Sequence, residues 1–481
     1  MGDLKKKTLQ GLGWSVGRLF SVQLTSFLVQ LFLARLLLPE AFGLIAMLQV
    51  FVAIGQTLMD GGMTSSLIRT PNPDFRDYST VFFINVFVAA FVYGIIFVAA
   101  EHIAIFYNQP ILEKVLKIFA LSIVIQSFVA VQLAKFTKDL DFKSQLMLEL
   151  PSLLLSSIIA ISLAFNDFGV WSLVWLHLSK SVFFAIQVWL FVKWRPSWVF
   201  DIQRLKMHFN FGYKLTLSSL LNTVYDNIYN IIIGKAFSPA QLGYYDRANS
   251  MRQLPVLTIS SALNKVTYPM FAVIQNDNEK LKQTYRMLMQ QILYWMAPML
   301  VLLAVIAEPL FLMVLTAKWL PAVPYFQILC FASILYPIHA YNLNVITVKG
   351  RSDLFLKLEV AKKIIISVGI VCALPFGIYG LVYLQLINSV IGFFVNTYYS
   401  GKLIDYSTFE QVRNIAPIIF LAVGIGLLTL LASRYYITPN FQSQATRLGL
   451  ASLFYGGMYF TLSILFRFSV IRDFKNLFFR R

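Results

Sequence analysis

Charge is scarce in this chain: 13% of its 481 residues are Asp, Glu, Lys or Arg, against 58% hydrophobic. That scarcity excludes a water-soluble globular protein, because too few polar side chains remain to cover a surface of this size. Cysteine is almost missing, with Cys330 and Cys372 in separate apolar segments, so no disulfide framework is expected. The four histidines, His102, His177, His208 and His339, lack metal-ligand spacing and are expected to be hydrogen-bonded or interfacial. No Gly-rich loop ends in Lys and Ser or Thr, which excludes a phosphate-cradling ATPase site of that kind. Loops between the apolar segments stay below about 16 residues and leave no room for a soluble domain. No cofactor, metal or catalytic set is expected, and hence no enzyme.

What is abundant is apolar length. Mean hydropathy is +0.69, and 43 Phe and 23 Tyr supply the rings that suit lipid-facing and interfacial positions. Segments of roughly 20 apolar residues recur about fourteen times, from near 11–36 to near 446–466, with the seventh near 209–233 and the eighth near 244–273. The fold class this predicts is an all-α polytopic membrane protein. The first segment follows Lys5, Lys6 and Lys7 but exceeds a signal-peptide core and lacks a small-residue cleavage site, so it is expected to remain. With loops assigned alternately to two sides, about two thirds of the 40 Lys and Arg fall on the side of the N-terminus. Both termini are therefore expected in the cytoplasm. The net charge of +18 lies in short clusters between segments, a pattern of membrane topology and not of a nucleic-acid stripe.

A repeat organises these segments. Leu38, Pro39, Glu40, Ala41, Phe42, Gly43 returns about 200 positions later as Ser238, Pro239, Ala240, Gln241, Leu242, Gly243. Further on, Phe168, Gly169, Val170 and Trp171 with Leu173 and Val174 match Phe376, Gly377, Ile378 and Tyr379 with Leu381 and Val382. Each unit holds six segments, an even number, so the copies share one orientation and are related by an axis along the membrane normal. The expected organisation is a six-helix lobe over 1–200, a second over 201–405, and a C-terminal helix pair with a cytoplasmic tail over 406–481.

Charges inside apolar segments are costly, about 2.5–3.5 kcal/mol each on insertion scales. The basic ones are Arg18, Lys180, Lys214, Arg247, Arg252 and Lys265; the acidic ones are Asp60, Asp226 and Asp246. Helical spacing puts Arg247 and Lys265 on one line, with Thr258 and Ser261 between. It also aligns Asn222, Asp226, Tyr229 and Asn230 in the seventh segment, Gln49, Gln56 and Asp60 in the second, and His177, Lys180 and Ser181 in the sixth. Internal pairing, such as Asp226 with Lys214, or snorkelling to the interface accounts for some of these charges. Six bases against three acids favour a water-filled cationic cavity that receives an anion. The three acids are the candidates for coupling to a proton or sodium gradient. Asp139 and Asp141 spell a two-carboxylate pattern that glycosyltransferases use for a divalent ion, but their loop is too short to hold a sugar-nucleotide domain.

The ordered set of Asp60–Arg69 (DGGMTSSLIR), Tyr78–Asn85 (YSTVFFIN), Leu140–Phe142, Phe168–Val174, Lys193–Trp198 (KWRPSW), Ser218–Asn222, Ile233–Lys235, Leu242–Arg247 (LGYYDR) and Lys318–Val323 (KWLPAV) resembles polysaccharide exporters of the Wzx group. The likeness covers about residues 1–410 and is greatest to the colanic acid and teichuronic acid type, in the superfamily of MATE antiporters and MurJ flippases. It recasts Asp139 and Asp141 as part of a family loop. It implies flipping of an undecaprenyl-diphosphate-linked oligosaccharide across a bacterial inner membrane, for cell-surface polysaccharide synthesis. Alternating access would expose Arg18, Lys180, Lys214, Arg247, Arg252 and Lys265 to the diphosphate, and Asn222, Tyr225, Tyr229 and Asn230 to the sugars. Partners are then the lipid-linked glycan and the bilayer, with a polymerase and chain-length proteins beyond; nucleic acid is not among them. A MATE-type drug antiporter favours acidic cavities, which the basic excess opposes. An O-antigen ligase or polymerase usually has a large periplasmic loop with catalytic Arg and His, which this chain lacks.

Overall fold

The structure, a computed structural model, describes residues 2–468 and 470, with the backbone alone described at 2–10, 12, 257–258 and 261–266. Among the described residues every regular element is helical, as apolar runs in lipid require when backbone groups must be satisfied within the segment. Packing divides the chain into two compact units, residues 1–246 and 247–481.

In the first unit the helices are α1 (Gly2–Leu36), α2 (Pro39–Asp60), α3 (Met63–Arg69), α4 (Phe75–Tyr107), α5 (Ile111–Phe119), α6 (Leu121–Lys138), α7 (Phe142–Phe165), α8 (Val170–Phe191), α9 (Ile202–Asp226), α10 (Ile228–Ala236) and the first turns of α11 (Pro239–Val273). α1 lies along α7, α7 along α8, and α2 meets α4, α6, α8 and α9. Consequently α2 is the most enclosed of them, with Met47 and Leu48 fully buried, while Phe87, Phe91, Ile95 and Val98 of α4 project outward as a lipid-facing stripe at helical spacing. Several expected segments are broken. α2 ends at Asp60 because Gly61 and Gly62 adopt φ of +55° and +67°, which glycine reaches without penalty. The fourth segment bends at Ala120 between α5 and α6, and the seventh at Asn227 between α9 and α10.

Both copies of the repeated motif open a helix with proline in the first turn, α2 at Pro39 and α11 at Pro239, where its fixed φ and missing N–H cost nothing. The two copies touch. A Cβ on Gly43 would lie 1.7 Å from the Pro239 carbonyl oxygen, and one on Gly243 would lie 2.0 Å from that of Pro39. The contact is reciprocal, backbone against backbone, and only glycine at both positions permits it.

The second unit holds the rest of α11, then α12 (Asn278–Val305), α13 (Ala307–Val314), α14 (Val323–Ser333), α15 (Tyr336–Val348), α16 (Ser352–Ala373), α17 (Gly377–Leu403), α18 (Thr408–Ala432), α19 (Thr438–Asn440) and α20 (Gln444–Leu465). A buried polar network joins four of them: Tyr285 Oη lies 2.9 Å from Asn342 Oδ1 and 3.1 Å from Gln411 Oε1, and Ser400 Oγ donates to the same Asn342 oxygen. Such a network fixes helix register because each unmade bond in a dry interior is expensive.

Among the described residues eleven helical stretches are long and apolar enough to cross a membrane. One of them, Ser352–Leu403, contains both α16 and α17. The stretches expected at 209–233 and 244–273 are helical, as α9–α10 and α11, yet fall outside those eleven. The reason is their polar content: Lys214, Ser218, Ser219, Asn222 and Asp226 interrupt α9, and Asp246, Arg247, Asn249 and Arg252 interrupt α11.

Candidate functional site

A cavity of about 530 Å³ opens within the first unit. Two polar faces that helical periodicity defines meet there: Gln49, Gln56 and Asp60 from α2, and His177, Lys180 and Ser181 from α8. Thr64 of α3, Ser122 and Gln126 of α6 and Glu149 of α7 complete the polar wall. The apolar lining includes Phe119, whose ring meets the His177 ring edge-on at 5.5 Å. The polar groups of these helices face inward, where water or a ligand satisfies them.

Glu149 is the centre of the site's charge. Its Oε2 accepts from Arg18 NH1 of α1 at 2.9 Å, and its Oε1 lies 3.4 Å from Lys180 Nζ. One carboxylate therefore serves two cations, and the group of three carries a net positive charge. Buried Arg18 Nε makes no hydrogen bond, so the guanidinium is engaged through one of its edges only. Glu149 corrects the sequence-based balance: it is a further acid within the apolar segments, as are Glu308 and Glu359, and it engages two of the six bases. Its signal was present, since it lies inside the segment near 147–166, but position gives no hint of a partner 131 residues away in sequence.

The remaining site residues fall elsewhere. On α9, Lys214, Ser218, Asn222 and Asp226 recur every fourth residue and are all exposed, while Tyr225, Tyr229 and Asn230 are half-buried. Lys214 Nζ stands 5.8 Å from the Tyr213 ring. α9 adjoins α2 through Thr57 Oγ1 and Thr223 Oγ1, 3.2 Å apart. Asp246, at the end of the first unit, is half-buried. In the second unit Arg247 is 1% exposed, its guanidinium 5.8 Å from the Trp319 ring, and Arg252 NH1 donates to Ser333 Oγ at 2.7 Å. Lys265, with Thr258 and Ser261, lies outside the described side chains. The structure thus brings Asp60 and Lys180 to one cavity and joins Arg18 to it through Glu149.

A second cluster holds α9 in place. Ser66 Oγ lies 2.8 Å from His208 Nδ1, His208 Nε2 lies 3.1 Å from Asp77 Oδ1, and Arg204 NH1 is 3.4 Å from the same Asp77 oxygen. The order serine, histidine, aspartate matches that of a hydrolase, but His208 and Asp77 are 0% and 1% exposed, so no substrate reaches them. Beside it Gly62 and Gly212 bring α3 and α9 into backbone contact, a Cβ on Gly62 falling 2.5 Å from the Gly212 oxygen. The cluster is a tie between α9 and the start of α4. Asp141 likewise has a structural part, accepting from Ser144 N at 3.1 Å as the N-cap of α7.

Comparison with known proteins places this architecture. The teichuronic acid biosynthesis protein TuaB of Bacillus subtilis is 25% identical over 397 residues, 81% of each chain. The lipopolysaccharide biosynthesis protein WzxC of Escherichia coli is 24% identical over 405 residues, 82% of this chain and 81% of that one. Among solved structures, the lipid II flippase MurJ in an inward closed conformation superposes with a TM-score of 0.72 at 14% identity, covering 95% of this chain and 99% of that one; this likeness is one of fold. The sequence model of the polysaccharide biosynthesis protein family matches residues 32–324. Since the match spans more than half of a multi-pass, helical membrane chain, the protein belongs to the polysaccharide biosynthesis protein family.

Proposed function

We propose that this protein is a flippase that moves undecaprenyl-diphosphate-linked oligosaccharide units across the bacterial inner membrane by alternating access through a cationic central cavity. The observation that carries the reading is a polar, charge-bearing cavity inside an otherwise apolar bundle in a member of a polysaccharide biosynthesis family. Lipid-facing helices have no use for Lys180, Gln126 or Asp60 in their midst; a polar cargo crossing the bilayer does. A diphosphate needs cations, here Arg18 and Lys180 together with Lys214, Arg247, Arg252 and Lys265. Sugars need hydroxyl, amide and aromatic partners such as Asn222, Tyr225, Tyr229 and Asn230. Asp60, Asp226 and Asp246 are the groups through which an ion gradient would act.

The organisation that goes with this reading is fourteen spans: lobes over 1–200 and 201–405 related by the parallel repeat, and a helix pair over 406–481. Both termini lie in the cytoplasm, and polymerase and chain-length proteins act downstream. Helices α9–α10 and α11 enter this count despite their polarity, because a span facing an aqueous lumen need not be apolar all round. The test is mass spectrometry of the prenyl-diphosphate-linked glycan pool in cells with and without the protein. Leaflet sidedness is read with an impermeant glycan-modifying enzyme. Complete repeat units accumulating on the inner leaflet without the protein support the proposal; an unchanged pool overturns it.

A further inference from the structure

Glu149 occupies the place an anionic ligand would take. Its two oxygens engage Arg18 from α1 and Lys180 from α8 at 2.9 and 3.4 Å, while the carboxylate itself lines the cavity. Lys180 and Glu149 both line the cavity with 31% and 20% side-chain exposure, so a molecule there reaches them without unpacking the helices; Arg18, 25% exposed, is joined to the cavity through Glu149. Arg18 engages the carboxylate through NH1, and its buried Nε is unmatched by any acceptor. A guanidinium favours two parallel bonds to a carboxylate or phosphate; here half of that capacity is unused. The other groups around the cavity do not compete for the two cations. Asp60 enters from α2, His177 from α8, and α6 contributes only the neutral Ser122 and Gln126, whereas Arg18 and Lys180 both turn to Glu149.

We propose that Glu149 is a built-in surrogate for the ligand's phosphate: it holds Arg18 and Lys180 in the empty cavity, yields them to a diphosphate that enters, and reclaims them to expel it. The inference rests on the proposed flippase reading for the identity of the cargo, but the anion site it describes is measurable without transport. A diphosphate carries more charge than one carboxylate and offers more acceptor oxygens to Lys180 and to the Arg18 NH1 that Glu149 releases, so it displaces Glu149; the returning carboxylate then weakens binding enough to permit release. The device sets affinity, since a ligand held by two unopposed cations in a low-dielectric cavity leaves slowly.

The experiment uses the full chain in lipid nanodiscs and titrates inorganic pyrophosphate by calorimetry against wild type, Glu149→Gln, and Glu149→Gln combined with Arg18→Gln or Lys180→Gln. Glu149→Gln is expected to bind about tenfold more tightly than wild type, and each added substitution of a base to abolish that gain. Unchanged or weaker binding by a monodisperse Glu149→Gln protein overturns the proposal, as does a gain that survives loss of either base. Glu149→Asp, which keeps the charge and draws it back by one methylene, gives an intermediate gain and serves if Glu149→Gln does not fold. Repeating the titration with farnesyl diphosphate separates a prenyl headgroup from a free anion: a larger gain for the prenyl compound assigns the site to the lipid, and an equal gain assigns it to the phosphates alone. Wild-type protein that exports no glycan while Glu149→Gln still gains pyrophosphate affinity would sink the flippase reading and leave the surrogate standing.

Discussion

Gly43 and Gly243 are read from the sequence as the ends of a repeated hexad, and the structure gives them a physical task. Their reciprocal approach, with virtual Cβ atoms 1.7 and 2.0 Å from the carbonyl oxygens of Pro239 and Pro39, leaves no room for a methyl group on either side. Gly43→Ala is expected to push the starts of α2 and α11 apart at a cost of about 1–3 kcal/mol, the range for overpacking. Thermal unfolding of the purified protein in detergent measures this, and the double variant with Gly243→Ala should cost less than the sum, since both substitutions open one contact. Ser66 tests the buried tie in the same way. Replacing it with Ala leaves His208 Nδ1 without its 2.8 Å partner, which should destabilise the protein by about 1–3 kcal/mol for one orphaned buried group. The motif was legible as a repetition of letters, but contact between its copies was not, because sequence spacing carries no distance between distant segments.

Periodicity made the cavity's two principal faces legible. Gln49, Gln56 and Asp60 share a side of α2, and His177, Lys180 and Ser181 share one of α8, before any coordinates are known; the structure adds that both sides face the same space. Glu149 is not read as a site residue from the sequence, although Gln145, Ser152 and Ser156 stand at helical spacing from it on α7; what spacing does not give is its partner Arg18, 131 residues away. The same logic makes α9 testable. Lys214, Ser218, Asn222 and Asp226 form a polar stripe next to the apolar Leu217 and Leu221, all of them exposed. In a background lacking Cys330 and Cys372, Asn222→Cys should react with a membrane-impermeant thiol reagent and Leu221→Cys should not; equal labelling of the two would show that α9 has no separate wet and lipid sides. The start of α4 supplies a pH test. The Asp74 carboxyl is held below its usual range chiefly by the Asp77 N–H; burial opposes this, and the Arg76 N–H and nearby Arg204 add to the lowering. Its folded value is lowered, so the stabilisation it gives is complete above the ordinary carboxylate range and disappears as pH falls through the lowered value. The protection of the Arg76 and Asp77 amides, taken relative to the intrinsic exchange rate at each pH, should therefore fall on acidification, and Asp74→Asn should remove that acid dependence.

Across the whole molecule, charge balance distinguishes the three acids proposed to answer an ion gradient. The sequence offers Asp60, Asp226 and Asp246 on equal terms, since each is a carboxylate in a helical stretch. The structure separates them. Asp60 lines the same cavity as Lys180 and Glu149, whereas Asp226 ends the exposed stripe of α9 and Asp246 sits half-buried in α11. An ion that binds Asp60 changes the field felt by Arg18 and Lys180 across a low-dielectric space, where unit charges act over several ångströms; the same ion at an exposed carboxylate is screened by water and salt. Coupling between ion and cargo requires such a differential interaction, because a ligand indifferent to the state of the site shifts no equilibrium. Asp60→Asn is therefore expected to make glycan translocation in inverted membrane vesicles insensitive to an imposed proton or sodium gradient, while Asp226→Asn and Asp246→Asn retain the sensitivity. Retention by Asp60→Asn as well would remove the cavity acid from coupling and leave Glu149 as the carboxylate through which any gradient reaches the two bases.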